Sequence, residues 1–305
     1  MAVGELRVSH PLVSGVLPAW AVEWGQDRRG VWAAFEIRGV VHRLRWIPPG
    51  TFQMGSPESE LERYGVEIQH QVTLTPGFWL GETACTQELW SAVMGENPSK
   101  FPGDQNPVEN VSWDDCQRFL EAASSLVPGL ELRLPTEAEW EYACRAGTTT
   151  PFSFGEQITP DLVNYNGNFP YAGGLKGKYC EQTVPVGSLP PNPWGMHEMH
   201  GNVWEWCEDW FGDYPSNSEV NPTGPKTGAA RVLRGGSWIY DARFVRSACR
   251  GRDEPGERGS YCGFRCARGQ DEPAQAGERG RPRGALRGAE RAERRDAEAG
   301  RAGRS

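Results

Sequence analysis

The chain reads as an α+β fold built largely of ordered loops, and three observations lead there. Its 305 residues include 38 glycines and 13 tryptophans, so turns are frequent and aromatic rings carry much of the burial. Helix starts gather between residues 86 and 147. Strand-like segments bounded by Gly and Pro precede them, and short apolar pieces broken by Gly, Pro and Asn continue as far as residue 266.

Residues 1–30 form a mixed lead-in. The segment VWAAFEIRGVVHRLRWIPPG then predicts two strands about Arg38-Gly39, closed by Pro48-Pro49-Gly50. HQVTLTPGFWLG predicts a second strand pair about a Pro-Gly turn. Thr86 is placed to cap QELWSAVMG, and Ser112 to cap WDDCQRFLEAASSL, where Asp114 and Asp115 suit the positive end of a helix. The strongest helix signal is PTEAEWEYACRAG, with Thr136 and Glu139 at capping-box spacing and Gly147 ending the helix after Arg145. The acids Asp114, Asp115, Glu137, Glu139 and Glu141 read as helix-start and surface charges, because nothing around them supports paired-carboxylate catalysis. Further on, RSACR reads as a strand.

After Gly269 the composition changes. Residues 270–305 carry no aromatic, one Leu and interspersed opposite charges, too little apolar surface to offset the entropy of ordering. The expected organisation is one domain over 1–269 and a disordered charged tail over 270–305.

A formal charge of -8 argues against nucleic acid as the main partner, since phosphate binding needs a cationic face. No run reaches the roughly 20 apolar residues that span a bilayer. The N-terminus has no basic region leading into an apolar one, so a cytoplasmic, monomeric protein is expected, with display at the surface by another protein left open. The eight cysteines then read as reduced, buried small side chains. None forms a CxxC pair, and Cys262 and Cys266 lack companion histidines for zinc. His197 and His200 are three apart but lack a third ligand, and read as turn or surface histidines.

Six segments occur in a telling order: IPPGTFQMGSP, FWLGETACTQELW, NPVENVSWDDC, RLPTEAEWEYACRAG, NPWGMHEMHGNVWEWCEDW and RVLRGGSW…GFRCARG. Together, over about residues 45–268, they resemble the domain of the formylglycine-generating enzyme (sulfatase-modifying factor) family. The resemblance implies a C-type-lectin-like fold of the formylglycine-generating-enzyme type, with short twisted sheets and a few flanking helices. It also implies copper held by two cysteines shortly after the GGS motif, soft thiolates being the ligands that select Cu(I). Here Tyr240 stands where the first cysteine belongs, and no thiol lies around Phe244 and Val245, so copper is not expected. A replacement pair would have to be Cys249 and Cys262. The family's disulfides do not carry over either: Cys144 and Cys266 fall at cysteine positions, but their partners align near Ser247 and Leu120.

Calcium is the cofactor the resemblance leaves open. Carried over to this chain, its ligands are Glu198, the Gly201 and Val203 carbonyls and Glu205, all hard oxygen donors. A second site would begin at Asn164 and Tyr165, but its expected Asp falls near Lys176 or Gly177.

Within the family the chain is most similar to the variable proteins of diversity-generating retroelements. The likeness extends to PAWAVEWGQDRRGVWAAFEI before the domain and to the charged tail after it. In those systems asparagine codons (AAC) of a template become any codon ending in C, which excludes Trp, Lys, Glu, Met and Gln. Ile239, Tyr240, Asp241, Phe244, Cys249, Gly251, Asp253, Gly259, Ser260, Tyr261 and Cys262 avoid all five types. Framework pieces stand between them: Ala242-Arg243, Val245-Arg246, Ala248, Arg250, Pro255-Gly256 and Arg258. Aromatic anchors among small polar residues suit a paratope. The expected function is binding of an unidentified protein or cell-surface ligand through residues 239–262. The alternatives are a formylglycine-generating or related protein-modifying enzyme, and a structural or regulatory module.

Overall fold

Arg38 and Gly39 both take positive φ (50° and 85°), the geometry of a tight hairpin whose twist matches its strands. They join β2 (Gly30–Ile37) to β3 (Val40–Ile47), paired antiparallel from Ile37↔Val40 to Trp32↔Arg45. The computed structural model describes Leu12 and residues 17–270; the predicted tail beyond residue 270 lies outside them. A further strand, β1 (Glu23–Asp27), lies inside the supposed lead-in and pairs with β2 at the sheet edge. Its sequence, EWGQD, carries no apolar alternation because most of the strand is exposed.

The predicted pairing of the next two strands fails. After β4 (Gly50–Met54), β5 (His70–Leu74) pairs with β4, whereas β6 (Phe78–Gly81) pairs with β3. The chain crosses between sheets at Pro76-Gly77. Only glycine fits there, since a Cβ on Gly77 would lie 2.2 Å from the Trp46 ring.

The three predicted helices form where their caps place them. Thr86 accepts from the Leu89 N–H at the start of α1 (Gln87–Met94). Full capping boxes begin α2 (Trp113–Leu126) and α3 (Glu137–Arg145), at Ser112/Asp115 and Thr136/Glu139. The last of these ends in left-handed residues, Ala146 (φ 47°) and Gly147 (φ 88°). Every residue of α3 is buried, so its acids are not the surface charges expected.

The remaining strands are β7 (Leu132–Arg133), β8 (Trp204–Trp210), β9 (Glu219–Val220), β10 (Arg231–Arg234), β11 (Arg250–Asp253), β12 (Cys262–Gly263) and β13 (Ala267–Gly269). Only Arg250 of the predicted RSACR strand belongs to β11. Among the described residues three sheets result, ordered β1-β2-β3-β6-β13-β7, β11-β10-β8-β12 and β4-β5-β9. The mixed α+β, C-type-lectin-like expectation holds.

One core joins the first sheet to α1 and α2. Trp90 stacks on Phe119 (5.2 Å, 5°), and Phe264 meets Phe119 edge-on at 5.3 Å. Cys85, Cys116, Cys249, Cys262 and Cys266 are buried in this same core. All eight cysteines are free, and only Cys180 is partly exposed.

Candidate ligand-binding surface

The surface begins at a turn that requires glycine twice. Gly235 and Gly236 have φ of 97° and 70°, and a Cβ on Gly236 would stand 2.5 Å from Val245 Cγ1. This close approach folds residues 237–245 back on β10. Regular structure is sparse from there to residue 263: a short 3-10 turn at Ala242–Val245, then β11 and β12.

Irregular backbone leaves carbonyls without ladder partners, and arginines supply the missing donors. Arg234, fully buried, donates to the carbonyls of Ser247 (2.8 Å), Ala248 (3.0 Å) and Cys249, and pairs with Glu141. Arg246 binds Glu60 (2.5 Å) and Glu67 (2.7 Å). Arg250 forms two bonds to Glu137 (2.6 and 2.8 Å), and Arg258 two to Asp115 (2.6 and 2.9 Å). Burial alone would raise the Glu67 carboxyl, but the hydrogen bonds and charge of Arg246, with Ser56, outweigh it and hold the group below its usual value. At Glu60 burial outweighs the same arginine and the carboxyl is pushed up. Asp115, Glu137, Glu139 and Glu141 are therefore structural partners of arginine. Sequence patterning missed this because most of these partners lie far along the chain; the near ones are Arg118, one turn from Asp115, Arg145, one turn from Glu141, and Arg133, which pairs with Glu139.

Above these anchors lies an aromatic patch. Tyr240 meets Trp204 (5.8 Å, 80°), Phe244 (5.1 Å, 61°) and Tyr261 (5.8 Å, 83°). Phe244 continues to Tyr64 (5.9 Å), over which the Arg243 guanidinium sits at 4.4 Å. Trp238 donates its indole N–H to the Ser260 carbonyl (2.9 Å) and meets Phe101 edge-on. Tyr64 and Phe101 were not singled out from the sequence, since each lies in a polar loop over 130 residues from the stretch it joins.

Of the eleven named positions, Ile239 is exposed and Tyr240, Asp241, Phe244, Gly251, Asp253, Gly259, Ser260 and Tyr261 are partly exposed. The other two are corrections: Cys249 and Cys262 are buried and cannot contact a ligand as surface residues. They lie in the core on which Tyr240, Phe244 and Tyr261 pack. Burial pushes the Cys249 thiol up to about 12 and the Cys262 thiol up as well, the neutral form being a poor metal ligand. Gly251 is also confined, with the Trp204 ring 3.1 Å from where its Cβ would be.

The expected calcium ligands do not fit a dication. Both oxygens of Glu205 are bound by Arg265 (2.6 and 2.7 Å), and Trp140 donates to one of them at 2.7 Å. A bidentate guanidinium already supplies the positive charge there. Glu198 accepts from the Gly187 and Leu189 N–H groups, and burial raises its carboxyl to about 7. Among the described residues no three His, Cys, Asp or Glu side chains gather as a metal site. At the second site Asn164 Oδ1 is a buried acceptor without a partner, while Lys176 and Gly177 stand where the expected acid would be. His200 is not a surface residue either. It is buried, with Nδ1 2.7 Å from the Val245 carbonyl and Nε2 accepting from the Ser153 N–H. His197 instead faces the Leu189 carbonyl, so the two imidazoles do not converge.

Residues 36–270 match the family model described as "Sulfatase-modifying factor enzyme 1-like domain". The chain belongs to this family. It is 36% identical over 233 residues to the formylglycine-generating enzyme of Streptomyces coelicolor, covering 70% of this chain and 71% of that one. It is 35% identical to the mouse (Mus musculus) formylglycine-generating enzyme, covering 65% of this chain and 53% of that one. Among solved structures it is similar to Treponema denticola variable protein 1 (29% identity, TM-score 0.68), covering 78% of this chain and 98% of that one. The structure of PvdO from Pseudomonas aeruginosa is similar too (26% identity, TM-score 0.64), with 82% and 98% covered. The scaffold is thus that of the formylglycine-generating enzymes, and a variable protein shares it.

Proposed function

We propose that this chain is a ligand-binding variable protein of a diversity-generating retroelement, displaying a diversified surface within residues 239–262 on a non-catalytic scaffold. One observation carries the reading: the stretch divides by role. Framework residues Ala242, Val245, Arg246, Ala248 and Arg250 are buried, and Arg258 is tied to Asp115. Nine of the eleven positions with the codon signature keep solvent access between them. A stretch built this way can change its face without changing its attachment. The partly exposed rings of Tyr240, Phe244 and Tyr261 offer rigid contact area, and Ser260 and Gly259 add small adaptable contacts.

The names of the curated relatives favour a second reading, copper-dependent oxidation of a protein cysteine. Against it stand Tyr240 in place of a thiol and the burial of Cys249 and Cys262 as neutral groups. The deciding experiment is to sequence the DNA flanking the gene. The proposal expects a near-copy of the segment encoding 231–268, with AAC codons opposite the variable positions and a reverse transcriptase gene beside it. Stoichiometric Cu(I) binding with oxygen consumption on a cysteine peptide, and no such copy, would favour the oxidase.

A further inference from the structure

A cavity of about 900 Å³ opens beside α3, between the β1–β2 turn and β4, and none of its described lining residues lies within 231–269. Its volume sits in the upper part of the range for small-molecule sites, roughly 300–1,000 Å³. Five aromatic rings form its walls: Trp24, Trp46, Phe52, Tyr142 and Trp194. Three of them brace one another, Tyr142 meeting Phe52 at 5.1 Å and Trp194 edge-on at 4.9 Å. Gly50 makes room for this arrangement, since a Cβ there would lie 2.1 Å from the Tyr142 hydroxyl.

The charge around the cavity is one-sided. Asp27 is already held by Arg45 through two bonds (3.1 and 2.9 Å) and by the Arg29 N–H. Arg145, also in the lining, is committed to Glu141 at 2.8 Å. That leaves Arg28 and Arg29, which line the cavity from the β1–β2 turn, and neither makes an ion pair among the described residues. Two unpaired guanidinium groups beside a wall of rings favour a flat apolar body that carries an anionic group. The body would stack on ring faces and edges, and the anion would bind the guanidinium forks.

We propose that this cavity is a second binding site, separate from the variable surface, for a small aromatic carboxylate or sulfonate. Because no lining residue falls among the diversified positions, the site would be common to all variants of the protein.

The test uses the full chain and anilinonaphthalene sulfonate as probe, tracking probe emission and quenching of tryptophan fluorescence. Saturable binding of about one probe per chain is expected. The double variant Arg28→Glu/Arg29→Glu, both residues lying at a turn outside the core, should weaken it about tenfold or more, or ~1.4 kcal/mol. The same variant should leave a neutral naphthyl alcohol almost unaffected, and circular dichroism checks that it folds. Trp194→Ala should weaken both compounds, and Tyr240→Ala neither. Absence of saturable binding, indifference to the arginine reversal, or loss of the probe in Tyr240→Ala would each overturn the proposal. The last outcome would place the probe on the variable surface instead. A failure here leaves the retroelement reading untouched.

Discussion

The β2–β3 hairpin and the stretch from 239 to 262 are held in place by opposite means. In the hairpin the backbone satisfies itself through a continuous antiparallel ladder from Ile37↔Val40 to Trp32↔Arg45. In the 239–262 stretch β11 pairs over four residues with β10, and much of the remaining attachment comes from arginine side chains. A ladder ties conformation to every residue's backbone and to the face each side chain presents. Arginine anchors tie it to a few residues and leave those between them free. The difference teaches how a fold can tolerate sequence change at its most irregular part: attachment and display are assigned to different side chains.

The contrast breaks most visibly if an anchor is removed. Arg246→Ala leaves Glu60 and Glu67 buried without their guanidinium, and should cost about 3–5 kcal/mol in urea unfolding. A cost below about 1 kcal/mol would show that the anchor is dispensable.

Acid should loosen the same region. The His200 imidazole, lowered to about 4 by burial, donates to the Val245 carbonyl of the stretch. Its folded value lies below the unfolded one of about 6.5. The unfolded chain therefore takes up the proton first, and stability present at pH 7 is lost as pH falls from about 6.5 through 4. Buried His42, also lowered to about 4, adds a second contribution of the same sign. His200→Gln should start less stable at pH 7 and lose less across that window. An unchanged slope would show that His200 does not carry the acid response.

On the display side the effects should shrink. Tyr240→Ala gives up three half-buried ring contacts and should cost about 1–2 kcal/mol, while abolishing binding to whatever partner this variant recognises. Ile239→Ser and Asp241→Ser should each stay within about 0.5 kcal/mol by the same measurement. A larger loss at these two would blur the distinction between anchor and face.

Much of this was legible in the sequence, for reasons of range. The three helices arise from caps that act within four residues, and the β2–β3 hairpin from its two-residue turn. The GGS turn and the framework arginines were visible as pieces. Their partners were not: Glu60, Glu67 and Glu137 look like any exposed acid until the fold brings an arginine to them. The pairing of β5 with β4 rather than β6 is likewise set by packing, with Gly77 passing under Trp46. Burial of Cys249 and Cys262, expected of the cysteines as a class, conflicts with their place in the codon pattern, and an irregular stretch has no periodicity from which to settle its inward side. Glu205 is a calcium ligand only by the family resemblance, and Arg265, 60 residues further along the chain, occupies it instead.

The most direct measurement randomises Ile239, Asp241, Asp253 and Ser260 together, with every anchor and the rings of Tyr240, Phe244 and Tyr261 kept, and records melting temperatures across a few dozen variants. For a domain of this size each kcal/mol is worth about 2–4 °C. If attachment and display are separate, most variants fold cooperatively and melt within about 5 °C of the parent. Should the majority fail to fold, or scatter widely in melting temperature, the face would be part of the framework and could not be a surface made to vary.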